Sequence, residues 1–272
     1  MKPYQPTLAE KKRHFDLEKK LADSLRQATA AERQKLYGQV YDEIYAAIPY
    51  LLPNQRILSQ LAIADTLNML RPYLRPQTTY LEIGAGNCVL ALEAAKRVAQ
   101  VYAVDVSVEV TADNIFPENF TLSISDGLSI PVPEGSIDLA FSNQLMEHLH
   151  PDDAAEQLSN IYRALKPGGR YICITPNRWS GPHDISKYFT PTATGFHLRE
   201  YNHGQLVSVF RQAGFRHFRA LIGSRGFFVE IPLWPLRALE SCLAVLPFNL
   251  GVRLGRLLPL RLLLGIKLIA RR

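Results

Sequence analysis

From Thr78 onward, short apolar runs alternate with amphipathic stretches; the runs are Tyr80–Ile83, Val101–Val104, Phe120–Ile124, Ile137–Phe141 and Tyr171–Ile174. Helical spacing falls between them near Cys88–Val98, Val108–Asn114 and Asp153–Leu165, the last stopped by Lys166-Pro167-Gly168-Gly169. Strand-length runs joined by helix-length crossovers are what a mostly parallel sheet with covered faces requires. A helix at His203–Ala213 ends at Gly214 and feeds a strand at Phe215–Ile222, and Gly265–Ala270 reads as a last strand.

The flanks carry a different texture. Leu17, Leu21 and Leu25 share a helical face, and Tyr37, Tyr41 and Tyr45 recur at four-residue spacing, so residues 8–50 read as two helices. Ile57 to Leu70 reads as a third, ending before Arg71-Pro72. The expected division is a helical extension over 1–75 and the α/β domain over 76–272. Within the latter, 227–264 is Leu-rich but broken by Pro232, Pro235, Pro247, Pro259 and several arginines. It is expected to form short apolar helices rather than to cross a membrane.

A chain of 272 residues can bury a core without disulfides. Cys88, Cys173 and Cys242 are far apart and form no CxxC pair, which fits a reducing compartment. Met1 to Arg13 is polar with no apolar stretch behind it, so a cytoplasmic location is expected. The net charge of +6 conceals an asymmetry: Lys and Arg number 20 against 23 Asp and Glu in residues 1–200, and 11 against 2 thereafter. A first part at −3 and a last part at +9 make an anionic surface, including the inner face of a membrane, an expected partner of the tail.

The run Tyr80-Leu81-Glu82-Ile83-Gly84-Ala85-Gly86-Asn87-Cys88 is a strand entering a glycine turn and then a helix. Gly84 and Gly86 allow a tight turn and close approach of a ligand to the main chain. The next strand ends at Asp105-Val106, 23 residues beyond Glu82, where a carboxylate can accept from both hydroxyls of a ribose. Asp126-Gly127 follows the third strand. A nicotinamide dehydrogenase would need glycine where Val89 stands and leaves Glu82 without a role.

Glu82-x-Gly84-x-Gly86 with Asp105 and Asp126 resembles the class I S-adenosylmethionine-dependent methyltransferases. The resemblance spans residues 76–222 and implies a Rossmann-like seven-stranded sheet with an N-terminal helical lid and an apolar helical insertion before the last strand. It implies S-adenosylmethionine as cofactor, bound by Glu82, Gly84, Ala85, Gly86, Asp105, Val106, Asp126 and Gly127, with the glycine loop under its methionine part, Asp105 at the ribose and Asp126 at the adenine. Ser142, Asn143 and Gln144 would line it at the end of the fourth strand. Cys88 stands where many members carry a third glycine, and is expected to be tolerated because it opens the helix. The tyrosine stripe would be either core packing or part of the lid.

Methyl transfer from a sulfonium is an in-line displacement, so positioning can supply much of the acceleration, although a hydroxyl acceptor benefits from a base. His148, in Asn143-Gln144-Leu145-Met146-Glu147-His148, and His183, in the stretch after the fifth strand, are the candidate bases. Gln144, Glu147, His148 and Asp152 resemble the ExxEHxxxE metal pattern of ubiquinone-biosynthesis O-methyltransferases, which raises magnesium as a further cofactor. Residues 176–201, with His183, Asp184, Tyr188 and His197, form the expected acceptor loop. The expected reaction is O-methylation of a small or lipid-linked acceptor. The alternatives are a membrane-docked adaptor on the same scaffold and a nucleic-acid methyltransferase. The latter is disfavoured because a Leu-rich tail offers few polar groups for reading bases.

Overall fold

The computed structural model describes residues 3–108, 115–224 and 226–272; all but the first residue of the helix predicted at 108–114 lie outside them. Helices α1 (Leu8–Gln27), α2 (Ala30–Ala47) and α3 (Leu51–Leu70) precede the sheet. The first two begin with capping boxes, Thr7 with Glu10 and Thr29 with Glu32, which satisfy otherwise orphaned amide groups. Pro53 does not interrupt α3, because it falls in the first turn, where no intrahelical N–H partner is lost.

Strands β1 (Thr79–Ile83), β2 (Gln100–Asp105), β3 (Phe120–Ile124), β4 (Ile137–Asn143) and β5 (Leu165–Thr175) are mutually parallel. They alternate with α4 (Val89–Ala95) and α5 (Pro151–Ala164). Then come α6 (His203–Gln212), β6 (His217–Ser224), β7 (Phe227–Ile231), α7 (Trp234–Ala244), α8 (Phe248–Gly255), α9 (Leu258–Leu264) and β8 (Ile266–Arg271).

The sheet order is β3-β2-β1-β4-β5-β8-β6-β7, with β8 antiparallel to both neighbours. It has eight strands, not the seven expected. The extra strand is β7, which pairs antiparallel with β6 and occupies the start of the segment expected to be helical throughout. Phe227-Phe228-Val229-Glu230-Ile231 is rich in aromatic and β-branched residues, and the chain reverses tightly enough for Ser224 to pair with Phe227. The leucines that follow masked that signal. From Trp234 to Leu264 the expected short helices are present.

Side chains alternate across the sheet as its pleat requires. Leu81, Ile83, Val104, Tyr171 and Leu268 face a core shared with Leu21, Leu25, Tyr37, Val40 and Ile44 of α1 and α2, so these helices are integral to the fold. Tyr80, Val101, Phe141, Ile172 and Ile269 face the other layer, with Met69 and Leu70 of α3 and the alanines of α4. A smaller cluster of Trp179, Leu243, Val252 and Leu264 holds α7 to α9 against the loop after β5. Strand order reverses at β1, between β2 and β4, and such a switch point opens a crevice at the strand C-termini.

Candidate active site

The crevice is a cavity of about 410 Å³. At its floor the chain leaves β1 through Gly84 at φ +68° and Gly86 at +53°, while the amides of Gly84 and Ala85 bond the Val104 carbonyl at 2.8 and 3.2 Å. A side chain at Gly84 would meet both the strained φ and Leu145, 3.3 Å from an added Cβ. Cys88 is also left-handed, at φ +56°, and the helix opens only at Val89. The cysteine therefore sits in the conformation that favours glycine rather than in the ordinary opening of a helix.

Asp105 is buried at the cavity wall, its carboxylate accepting from the amides of Gly86 (2.7 Å), Val106 (2.8 Å) and Ser107 (3.0 Å). Burial raises its pKa despite these bonds. Glu82, equally buried and also at the wall, accepts from the Tyr80 hydroxyl at 3.1 Å, and burial pushes it up to about 8. Two carboxylates whose charge is disfavoured face the same space, an arrangement that a cationic, hydroxyl-bearing ligand would relieve.

Of the predicted cofactor and base residues, Glu82, Gly84, Ala85, Gly86, Asp105, Val106, Gly127, Asn143, Gln144 and His148 line the cavity; Asp126, Ser142 and His183 do not. Asp126 turns its carboxylate onto the amides of Leu128 and Ser129 and the Ser129 hydroxyl, shaping the loop that bears Ser125, Gly127 and Ser129. His183 Nε2 lies 3.1 Å from Ser180 Oγ and 3.2 Å from the Asn177 carbonyl, inside its own loop.

Tyr37, Tyr41 and Tyr45 line the cavity from α2, and Tyr37 is also part of the core. Gly38 makes this possible, since a Cβ there would lie 2.8 Å from the Val106 carbonyl. The helix is pinned by Arg33, which grips Asp153 of α5 through two bonds of 2.6 Å, and by Tyr37, which donates to the same carboxylate at 2.8 Å. Sequence reading missed Gly38, whose only signal was a glycine in mid-helix, and missed Ala62, Ile63 and Thr66 of α3, which carry no motif.

Residues 81–173 match the family described as "Methyltransferase domain". Over those residues the chain is similar to S-adenosylmethionine-dependent methyltransferases. A probable S-adenosylmethionine-dependent methyltransferase of Mycolicibacterium smegmatis is 35% identical over 86 residues, covering 32% of this chain and 31% of that protein. A demethylmenaquinone methyltransferase of Symbiobacterium thermophilum is 30% identical over 116 residues, covering 39% and 45%. The chain thus spans less than half the length of these curated relatives. The fold is shared with a SAM-dependent methyltransferase of Archaeoglobus fulgidus, at TM-score 0.51 and 21% identity over 78% of this chain and 94% of that one.

On the other side of the cavity, β4 is followed by Gln144 at φ +56°, a strained conformation for a non-glycine residue. A short turn, Met146–His148, follows. His148 packs edge-on to Tyr41 and His197, at ring separations of 5.9 and 5.0 Å, and burial lowers its pKa to about 3, so it is neutral. Glu147 is wholly buried and pushed up to about 7 by that burial. The metal set read from the sequence is not assembled: Asp152 is exposed at the start of α5, its carboxylate 3.5 Å from His150 Nδ1. The residue that instead joins Glu147 and His148 is His197, about fifty positions further along the chain.

Proposed function

We propose that this methyltransferase domain moves the methyl group of S-adenosylmethionine to an oxygen of a small or lipid-linked acceptor. The observation that carries the reading is the pair of buried carboxylates, Glu82 and Asp105, facing one cavity beside a glycine turn. The residues fit that cofactor: Glu82 suits its ammonium, Asp105 and Val106 its ribose, and Gly84, Ala85 and Gly86 leave room at the main chain. Asn143, Gln144 and Gly127 complete the wall, and Asp126 contributes by shaping the adenine-side loop. S-adenosylmethionine supplies an activated methyl group when bound, so the chain's task is to orient the acceptor and keep water out. Tyr41 and His148 meet the acceptor, with His148 the side chain through which its oxygen is engaged. Calorimetry with S-adenosylhomocysteine, followed by labelled methyl transfer into a metabolite extract, tests this. A folded protein that does not bind S-adenosylhomocysteine overturns the reading.

A lipid-linked acceptor agrees with the similarity to a demethylmenaquinone methyltransferase and with the tail. Trp234, Val245 and Leu258 are 71%, 86% and 70% exposed, Leu262 is also exposed, and Arg237, Arg253 and Arg261 stand exposed on α7, α8 and α9. Exposed apolar groups among arginines suit an anionic bilayer surface, each basic contact adding about 1 kcal/mol. No helix among the described residues is long and apolar enough to cross a membrane. Salt-sensitive flotation with anionic but not neutral vesicles is the expected result; no flotation with either at low salt overturns docking.

A further inference from the structure

Three side chains from two distant segments converge beside the cavity: Glu147 and His148 from the turn after β4, and His197 from the loop after β5. One donor atom of each lies within 4.8 Å of the others. Their other hydrogen bonds leave specific atoms for a ligand. A carbonyl only accepts, so the 3.1 Å contact of His148 Nδ1 with the Phe196 carbonyl places the proton on Nδ1 and, in the neutral ring, the lone pair on Nε2. The Glu200 carboxylate, 2.8 Å from His197 Nδ1, orients that ring in the same sense. Glu147 Oε2 accepts from the Thr175 hydroxyl at 2.8 Å, while Oε1 is buried with no hydrogen-bond partner among the described residues. A buried oxygen left unpaired is destabilising, and a ligand at this point would relieve it.

We propose that Glu147, His148 and His197 bind a divalent transition ion of the zinc class. Two imidazoles and one carboxylate suit that class, whereas magnesium prefers an all-oxygen octahedral shell. Phe196, Glu200 and Thr175 supply the outer partners that orient metal ligands. Donors around a tetrahedral ion at ~2.1 Å stand ~3.4 Å apart, so binding draws the acceptor loop toward the turn after β4. Three protein donors leave a fourth position for water or an acceptor oxygen. Since His148 lines the cavity, the ion carries positive charge to its edge and favours an acceptor whose hydroxyl ionises readily, such as a phenol or enol. This deepens the methyl-transfer reading and rests on it: the acceptor oxygen is engaged through the ion that His148 holds.

The test uses untagged full-length protein stripped with chelator and titrated with zinc by calorimetry and with cobalt by visible ligand-field absorption. One equivalent of each is expected, with magnesium failing to compete. Glu147→Gln and His197→Asn should each weaken zinc binding at least ~100-fold, and Asp152→Asn should leave it unchanged. Absence of stoichiometric binding in the wild type, or unaltered binding in both ligand variants, overturns the site. Should either variant fail to fold, the wild-type cobalt spectrum decides: zinc-displaceable bands of nitrogen and oxygen coordination support the site, and their absence overturns it. S-adenosylhomocysteine binding is measured on the same stripped protein. If it persists without metal binding only the ion is lost, whereas its own loss counts against the methyl-transfer reading.

Discussion

Where β1 and β2 end, the cavity wall is set by backbone: the Gly84–Gly86 turn, beside the buried carboxylates of Glu82 and of Asp105, the latter holding three amides. Where β4 and β5 end, it is walled by side chains, with Tyr41 and His148 in front and Glu147 and His197 behind. A wall shaped by a glycine turn keeps its form whatever the neighbouring side chains, so it suits a cofactor common to many enzymes. A side-chain wall can change with one substitution, so it suits an acceptor particular to this protein. The two sides should therefore fail differently when altered.

The largest effect is expected at the pair that holds α2 across both. Arg33 and Asp153 are almost fully buried, so Arg33→Ala leaves an uncompensated carboxylate and should cost about 3–5 kcal/mol in urea unfolding. Replacing both partners with apolar residues, Arg33→Met with Asp153→Leu, should recover most of that loss. If the single variant keeps full stability, α2 is not anchored by this pair and the two walls do not share a cover.

Next, His148→Ala should lower turnover about a hundredfold with S-adenosylhomocysteine affinity nearly intact, which sharpens the division between the walls. His183→Ala, at a residue outside the cavity lining, should change turnover far less. Equal losses in the two variants would move the acceptor site toward the 176–201 loop.

Asp105→Ala should act the opposite way. It removes the acceptor for three amides and the acceptor proposed for the ribose, and is expected to weaken S-adenosylhomocysteine binding by about 1.5–3 kcal/mol. Unchanged affinity in a folded variant, read by calorimetry, would end the assignment of this wall to the cofactor.

The smallest effect lies outside both walls and appears only in acid. Glu240 on α7 is buried; burial alone would raise its pKa, but bonds from His203 Nδ1 at 2.7 Å, the His203 amide and Asn177 hold it below the usual carboxylate range. A carboxylate lowered in the folded state contributes stability that is present above its unfolded pKa, roughly 4.3, and is lost as pH falls through the folded value. The stability gap between wild type and Glu240→Gln, followed as thermal midpoint against pH, should shrink on acidification, with cofactor affinity the same in both near neutral pH. A gap independent of pH would place the tail's anchoring elsewhere.

The backbone wall was largely legible in the chain because its requirements are local. A tight turn after a strand needs glycines in a fixed order, and an acid at the next strand's end can be counted from there; Glu82, Gly84, Gly86 and Asp105 all reach the cavity. Alternation of strand and helix likewise determined the parallel core, since period and length are properties of short segments. Asp126 was found, but the hold of its carboxylate on the Leu128 and Ser129 amides was not, because a loop amide can capture a carboxylate without leaving a trace in spacing.

Only the tertiary structure decided the side-chain wall. His197 meets Glu147 and His148 because β5 and its long loop return past the end of β4, and a separation of about fifty residues carries no periodic signal. Gly38, Arg33 and Asp153 matter because α2 is packed onto Val106 and α5, a contact between elements that residue order does not encode. The eighth strand was settled in the same way: Phe227–Ile231 is a strand because β6 offers it an unpaired edge, and the hydrogen bonds of a sheet exist only once two segments lie side by side.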